Sequence, residues 1–226
     1  FEVSSGAHYT QGGCWVNEKC HTSLKGLYAI GETASGLDGA DRMAGNALPF
    51  CMGMGIIAGK EAALEARSAV IPQVDRTQVE KLKEEALAPL LRGEGAGPLE
   101  IKETIQKNME AHAQFFRNEN GLRDGLKAVD EIREKSLPNL AVSARNRRYN
   151  LEWVDALEVR NMVDIAEMTF RSALMRTESR GAHERADYPE EKHEWLKNII
   201  LQKVKGEMAL STQPVALPYY KPEESE

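Results

Sequence analysis

Cysteine is scarce in this chain of 226 residues: Cys14, Cys20 and Cys51 are the whole complement. An odd number without dense spacing excludes a disulfide-stapled secreted scaffold, and reduced thiols in a cytoplasmic setting are the expectation. Cys14, Cys20 and His21 lack the paired spacing of a zinc site, so no metal is expected. No apolar run approaches the roughly 20 residues a membrane-spanning helix requires, and no direct span is expected. The start, Phe-Glu-Val-Ser-Ser-Gly, lacks both the basic-then-apolar order of a signal peptide and an initiator Met, as part of a longer protein would. Internal repeats are absent, which excludes solenoids and propellers. A net charge of −6 argues against nucleic acid or an anionic membrane surface as the main partner. What is present, 42% hydrophobic and 28% charged residues, is ordinary for a soluble chain of one or two domains.

Composition changes abruptly along the chain. Up to about residue 59 it is rich in glycine and poor in charge, and "GLYAIGE" at 26–32 reads as a buried strand ending in a tight turn, part of an α/β or α+β domain. From about 72 to 179 apolar residues recur at helical spacing, as in Val79, Leu82, Leu87, Leu90 and Leu91, then Ile101, Ile105 and Met109, which predicts a helix bundle. "GEGAGP" at 93–98 reads as a loop between the first two of these helices, with later breaks at Gly121 and Leu137-Pro138-Asn139. The longest helix is expected over about 150–178. "IILQKVKGEMALSTQPVALP" predicts a hairpin around Lys205-Gly206, and "YYKPEESE" at 219–226 a frayed tail. The expected divisions are 1–70, 71–188 and 189–226.

Gly12, Gly13, Gly26, Gly31, Gly36, Gly39 and Gly45 suit a backbone folded tightly against something flat or small. Asn46-Ala47-Leu48-Pro49 reads as the start of a helix, with Asn46 as cap and Pro49 tolerated in the first turn. Free amides and the positive end of the helix dipole would there favour an anion or an electron-rich ring edge. "GMGIIAG" at 53–59 contains G-x-G-x-x-A, but it falls inside the apolar run from Leu48 rather than in a turn after a strand, so it is not read as a dinucleotide fingerprint. Gly53, Gly55, Ala58 and Gly59 read instead as a slim helix face for another backbone.

The order of motifs carries a family likeness. "HYTQGG" at 8–13, "GLYAIGE" at 26–32, "GADRMAGNAL" at 39–48, a small-residue helix ending in Ala-Gly, and "RTESRGAHERADYP" at 176–189 together resemble the flavoprotein subunit of succinate dehydrogenase and fumarate reductase, a family that includes L-aspartate oxidase. The likeness spans nearly the whole chain but only the C-terminal part of such a subunit. It implies an α+β, mainly α fold: the C-terminal remnant of an FAD-binding α/β domain, a helical bundle and a short β-hairpin tail. By this resemblance His8 and Arg42 would hold the carboxylates of a four-carbon dicarboxylate, the arginine through its fixed fork of donors. Glu32 would accept hydrogen bonds from the ribityl hydroxyls of FAD. Asn46, Ala47 and Leu48 would face the pyrimidine edge of the flavin. The implied partners are the dicarboxylate and an iron–sulfur subunit, which aspartate-oxidase-type members work without, and membrane association would come through partner subunits. The family's proton-donating arginine sits in a capping domain without counterpart here, so this polypeptide alone is expected to be catalytically silent and to bind FAD poorly.

Each residue also has a plainer reading. A lone histidine is most often structural, Arg42 beside Asp41 reads as a weak surface ion pair, and Glu32 as a strand-end carboxylate. Arg180 and His183 read as basic residues satisfying the last carbonyls of a helix rather than as catalytic groups. Asp41 stands where the family usually has asparagine, and Ala47 where serine is common. An acid beside Arg42 would weaken its hold on an anion if the two side chains meet. The alternatives are an L-aspartate-oxidase-like flavoenzyme and a non-catalytic helical interaction module.

Overall fold

A computed structural model of the chain describes residues 8–217. The tail at 219–226 lies outside the described residues. The chain divides into two units, Phe1–Pro72 with Thr212–Val215, and Gln73–Ser211 with Ala216–Glu226.

In the first unit, glycine-rich loops precede one long helix, α1 (Ala47–Ala66). "GLYAIGE" does not form a strand. Tyr28 makes a single isolated bridge to His21, and Gly31–Thr33 closes into one 3-10 turn. Only Ala29 and Gly31 of that stretch are buried, because no partner strand covers it among the described residues. α1 also departs from expectation in three ways. Asn46 occupies the cap position with helical dihedrals, and its side chain makes no capping bond. Gly53 and Gly59 face open space, and a Cβ on Gly55 would meet only the tip of Ile30 at 3.7 Å, so the slim face receives no backbone. Finally, α1 is by length and composition apolar enough to cross a membrane. Its alanines and glycines keep the average apolar even though Lys60 and Glu61 end the unbroken run. The polar end of α1 is tied to the preceding loops: Lys19 pairs with Glu61 at 3.3 Å, and the Tyr28 hydroxyl donates to Glu65.

The second unit is a helical bundle whose starts are chemically marked. The Asp75 carboxylate caps α2 (Arg76–Leu91) by accepting from Thr77 N at 2.9 Å and Gln78 N at 3.2 Å. Pro98 opens α3 (Pro98–His112), where its missing N–H costs nothing. After the short strand β1 (Phe116–Arg117), Asn118 caps α4 (Glu119–Glu131). A π-turn at Ile132–Ser136 follows directly. Asn150 caps α5 (Leu151–Met175), the 25-residue central helix. Gly121 therefore starts a helix rather than breaking one. The core gathers Leu90, Ile101, Ile105, Leu122, Val129, Leu140, Val159, Val163 and Phe170. Gly125 explains how α4 approaches α5: a Cβ there would lie 2.3 Å from the Phe170 ring.

Beyond α5 the chain returns as β2 (Glu184–Arg185), paired in parallel with β1. β3 (Lys197–Val204) and β4 (Glu207–Pro214) then form the expected hairpin. Its turn residues Lys205 and Gly206 both take positive φ, 52° and 93°, as a two-residue turn matching strand twist requires.

"RTESRGAHERADYP" folds into a buried ionic strap. Glu178, wholly inaccessible, accepts from Arg176 at 2.6 Å, from Arg180 at 2.8 Å and from Lys192 N at 2.9 Å. Burial alone would raise its pKa, but these donors outweigh it and hold the carboxyl below the ordinary range. Arg185, 1% exposed, grips Asp187 through two bonds of 2.7 Å and donates to the carbonyls of Ala173 and Arg176 at the end of α5. His183 lies between Arg117 Nη1, 2.8 Å from Nδ1, and the Arg176 carbonyl, 3.2 Å from Nε2. One neutral tautomer satisfies both contacts, accepting at Nδ1 and donating at Nε2.

Burial first, then the charges of Arg117, Arg185 and Arg176, push the His183 imidazole down to about 4, against the opposing pull of the Arg176 carbonyl. A depressed histidine contributes its full stability above its unfolded pKa of about 6.5 and loses it as pH falls toward the folded value. The unfolding free energy from urea titrations is therefore expected to drop between pH 6.5 and 4, by at most about 3 kcal/mol. The His183→Gln variant should show a markedly flatter profile over that window. Parallel profiles for the two proteins would show that His183 is not what titrates.

Candidate functional site

The predicted residues of the first unit are brought together by a small set of local bonds. Cys14 N donates to Thr33 O at 2.8 Å and Ser35 N returns to Cys14 O at 2.9 Å, so that "HYTQGG" runs beside the Gly31–Thr33 turn. Gly13 makes this approach possible: it has φ +137°, and a Cβ there would sit 2.3 Å from Thr33 O. Thr10 N then donates to Glu32 Oε1 at 2.7 Å, and Gln11 Nε2 to Asp41 Oδ1 at 2.9 Å. Three segments, 8–13, 31–35 and 38–42, share one locality.

Arg42 lies at its centre. Its guanidinium carbon sits 4.3 Å above the centroid of the Tyr9 ring. Asp41 does not neutralise it, because the Asp41 carboxylate accepts instead from the Arg42 backbone N–H at 2.8 Å and from Gln11. Among the described residues Arg42 has no ion-pair partner, so the surface ion pair foreseen for it does not form. Tyr9 OH, Asp38 Oδ1 and Arg42 Nε are buried polar atoms without a hydrogen-bond partner among the described residues. Burial first, then the Asp38 carboxylate, push the Tyr9 hydroxyl above its ordinary pKa, which keeps it a neutral donor.

The other predicted residues are placed as follows. His8 is exposed, and its side chain makes no hydrogen bond among the described residues. Glu32 is exposed, with one oxygen on Thr10 N. Asn46 and Ala47 are half-buried and Leu48 exposed at the start of α1. Phe50 N bonds Asn46 O at 3.1 Å, while the Ala47 and Leu48 amides precede the first intrahelical bonds. Sequence reasoning missed Tyr9 and Asp38. The tyrosine stands in the first motif, but an aromatic at that position reads equally well as core, and nothing linear joins it to a residue 33 positions away.

Comparisons with known proteins identify the family. A family model described as "Fumarate reductase flavoprotein C-term" matches residues 102–226, more than half of the chain. The chain belongs to the fumarate reductase and succinate dehydrogenase flavoprotein family. A second model, "FAD binding domain", matches residues 1–48, and FAD is the cofactor that this segment serves. Among relatives of this flavoprotein family, an uncharacterized FAD-dependent oxidoreductase of Methanocaldococcus jannaschii is 38% identical over 201 residues, covering 88% of this chain and 36% of its own. The fumarate reductase flavoprotein subunit of Helicobacter pylori is 33% identical over 211 residues, 91% of this chain and 29% of its own. The solved structure of Sdh1 of Mycobacterium smegmatis in complex with UQ1 superimposes with a TM-score of 0.88 at 29% identity, over 94% of this chain and 36% of that one. The chain thus spans about a third of the length of the flavoproteins it matches.

The chemistry of the residues present is compatible with FAD. α1 begins with an uncapped cluster of amides and no acid in its first turn, a setting that favours an electron-rich edge. Glu32 has one oxygen on Thr10 N and the other without a donor among the described residues. The positive-φ glycines at 12, 36, 39 and 45 have nothing within 4 Å of where a Cβ would stand, which leaves their backbone open to approach.

Proposed function

We propose that this chain is part of an FAD-dependent oxidoreductase that interconverts succinate and fumarate or a similar dicarboxylate. The observation that carries the reading is Arg42, a half-buried guanidinium with no acidic partner among the described residues although Asp41 adjoins it. Such a group suits a substrate carboxylate, which it would bind through two parallel charge-assisted bonds. In this reading His8 bonds the same or the other carboxylate and orients the central carbons. Glu32 holds the ribityl hydroxyls, and Asn46, Ala47 and Leu48 set the pyrimidine edge against the positive end of α1. When bound, FAD supplies the hydride acceptor or donor, while the protein positions and tunes it. An iron–sulfur partner subunit, and membrane association through it, belong to the same proposal.

The test uses the full-length protein loaded with FAD and reduced with dithionite without oxygen. Fumarate is expected to reoxidise the flavin, and crotonate, which lacks the second carboxylate, is expected not to. Reoxidation by neither, with FAD still bound, would count against the dicarboxylate. Oxidation of L-aspartate with oxygen as acceptor would instead support the aspartate-oxidase alternative.

A further inference from the structure

Arg42 lies in a stretch unusually rich in acids for an anion clamp. Glu32, Asp38 and Asp41 all lie within ten residues of it, and charge alone would draw a carboxylate onto the guanidinium. None is within ion-pair distance among the described residues. Two of these acids are engaged elsewhere, Glu32 by Thr10 N and Asp41 by Gln11 Nε2 and the Arg42 amide. The partner Arg42 does have is the Tyr9 ring at 4.3 Å.

We propose that Tyr9 is a positioning residue whose ring holds Arg42 as an unneutralised clamp for a carboxylate ligand. This rests on the reading of Arg42 as a substrate-binding residue. A π face attracts the flat guanidinium without occupying its donor edge, whereas a carboxylate partner would take up the fork that an anion needs. Arg42 Nε is a buried donor without a partner among the described residues, which an oxygen anion would match.

Malonate, a dicarboxylate with no central bond to dehydrogenate, is the probe. Its binding to the full-length oxidised protein is measured by calorimetry, with FAD content checked by absorbance. Tyr9→Leu should raise the malonate Kd about tenfold, and with fumarate as substrate raise KM more than it lowers kcat. Tyr9→Phe keeps the ring and should stay within about threefold of the parent. If Tyr9→Leu does not fold, Tyr9→Met fills similar volume without a π face and carries the same expectation.

The proposal is overturned if the leucine and methionine variants bind like the parent while Arg42→Ala does not. It is equally overturned if Tyr9→Phe is as damaging as Tyr9→Leu, since the hydroxyl rather than the ring would then be holding the arginine. Should Arg42→Ala leave malonate binding untouched, the clamp assignment fails first and the positioning role of Tyr9 falls with it.

Discussion

Replacing Arg42 by alanine in the full-length, FAD-loaded protein is expected to lower kcat/KM for the dicarboxylate by a factor of a hundred or more. Removing one partner of a desolvated charge pair typically costs about 2–5 kcal/mol, and each ~1.4 kcal/mol is tenfold. The upper part of that range applies because nothing among the described residues stands ready to replace the lost charge. Lysine should rescue poorly: a point charge neither stacks on Tyr9 in the same way nor grips two oxygens with fixed geometry. Steady-state kinetics with fumarate, with FAD retention monitored, decide the matter. A loss below threefold would return Arg42 to the class of surface arginines.

The second large effect belongs to the strap. Arg185→Leu should destabilise the second unit by about 3–5 kcal/mol, a large part of the ~5–15 kcal/mol that holds a typical domain together. The leucine abandons a carboxylate and two helix-end carbonyls in a place where the parent residue is 1% exposed. Differential scanning calorimetry is expected to show a drop of roughly 10 °C or more for a unit of this size. A drop under about 2 °C would mean that water reaches the abandoned groups. Asp187 supplies a second readout. Its carboxyl is held down to about 2, first by its bonds to Arg185. A depressed carboxyl gives stability above its unfolded pKa and loses it as pH falls through the folded value. Without Arg185 the Asp187 pKa returns upward, and the contribution that the parent loses only on acidification is already missing near neutral pH.

Legibility of the sequence followed the range of the forces involved. α5 and the loop at 93–98 depend on periodicity and breakers that act within a few residues, and the Lys205-Gly206 turn carries its own backbone preference. "GLYAIG" looked like a strand because it is apolar and β-branched in part, but strand formation needs a partner, which no local signal supplies. Asn46 was recognisable as a cap position, yet its side chain is free to satisfy or ignore the helix amides, and here it ignores them. The motif likeness named His8, Glu32 and Arg42, and the bonds through Thr10 and Gln11 together with the Tyr9 stack explain how their segments meet. The aromatic platform under Arg42 stayed hidden because it arises from a turn that only three-dimensional closure reveals. Of the basic residues after α5, His183 reaches a terminal carbonyl as expected and Arg185 reaches two, whereas Arg180 turns instead to Glu178, Glu191 and the Lys192 carbonyl.

The parallel pairing of Phe116–Arg117 with Glu184–Arg185 has a consequence for assembly. Glu184 N reaches Phe115 O, Ala186 N reaches Arg117 O, and Asp187 receives Glu119 N, so α4 and α5 are both enclosed between the two ends of this clasp. Two-residue strands separated by two helices cannot nucleate anything, and their closure entropy is recovered only after both helices have docked. The clasp is therefore expected to close late in folding, after the helices it encloses have docked.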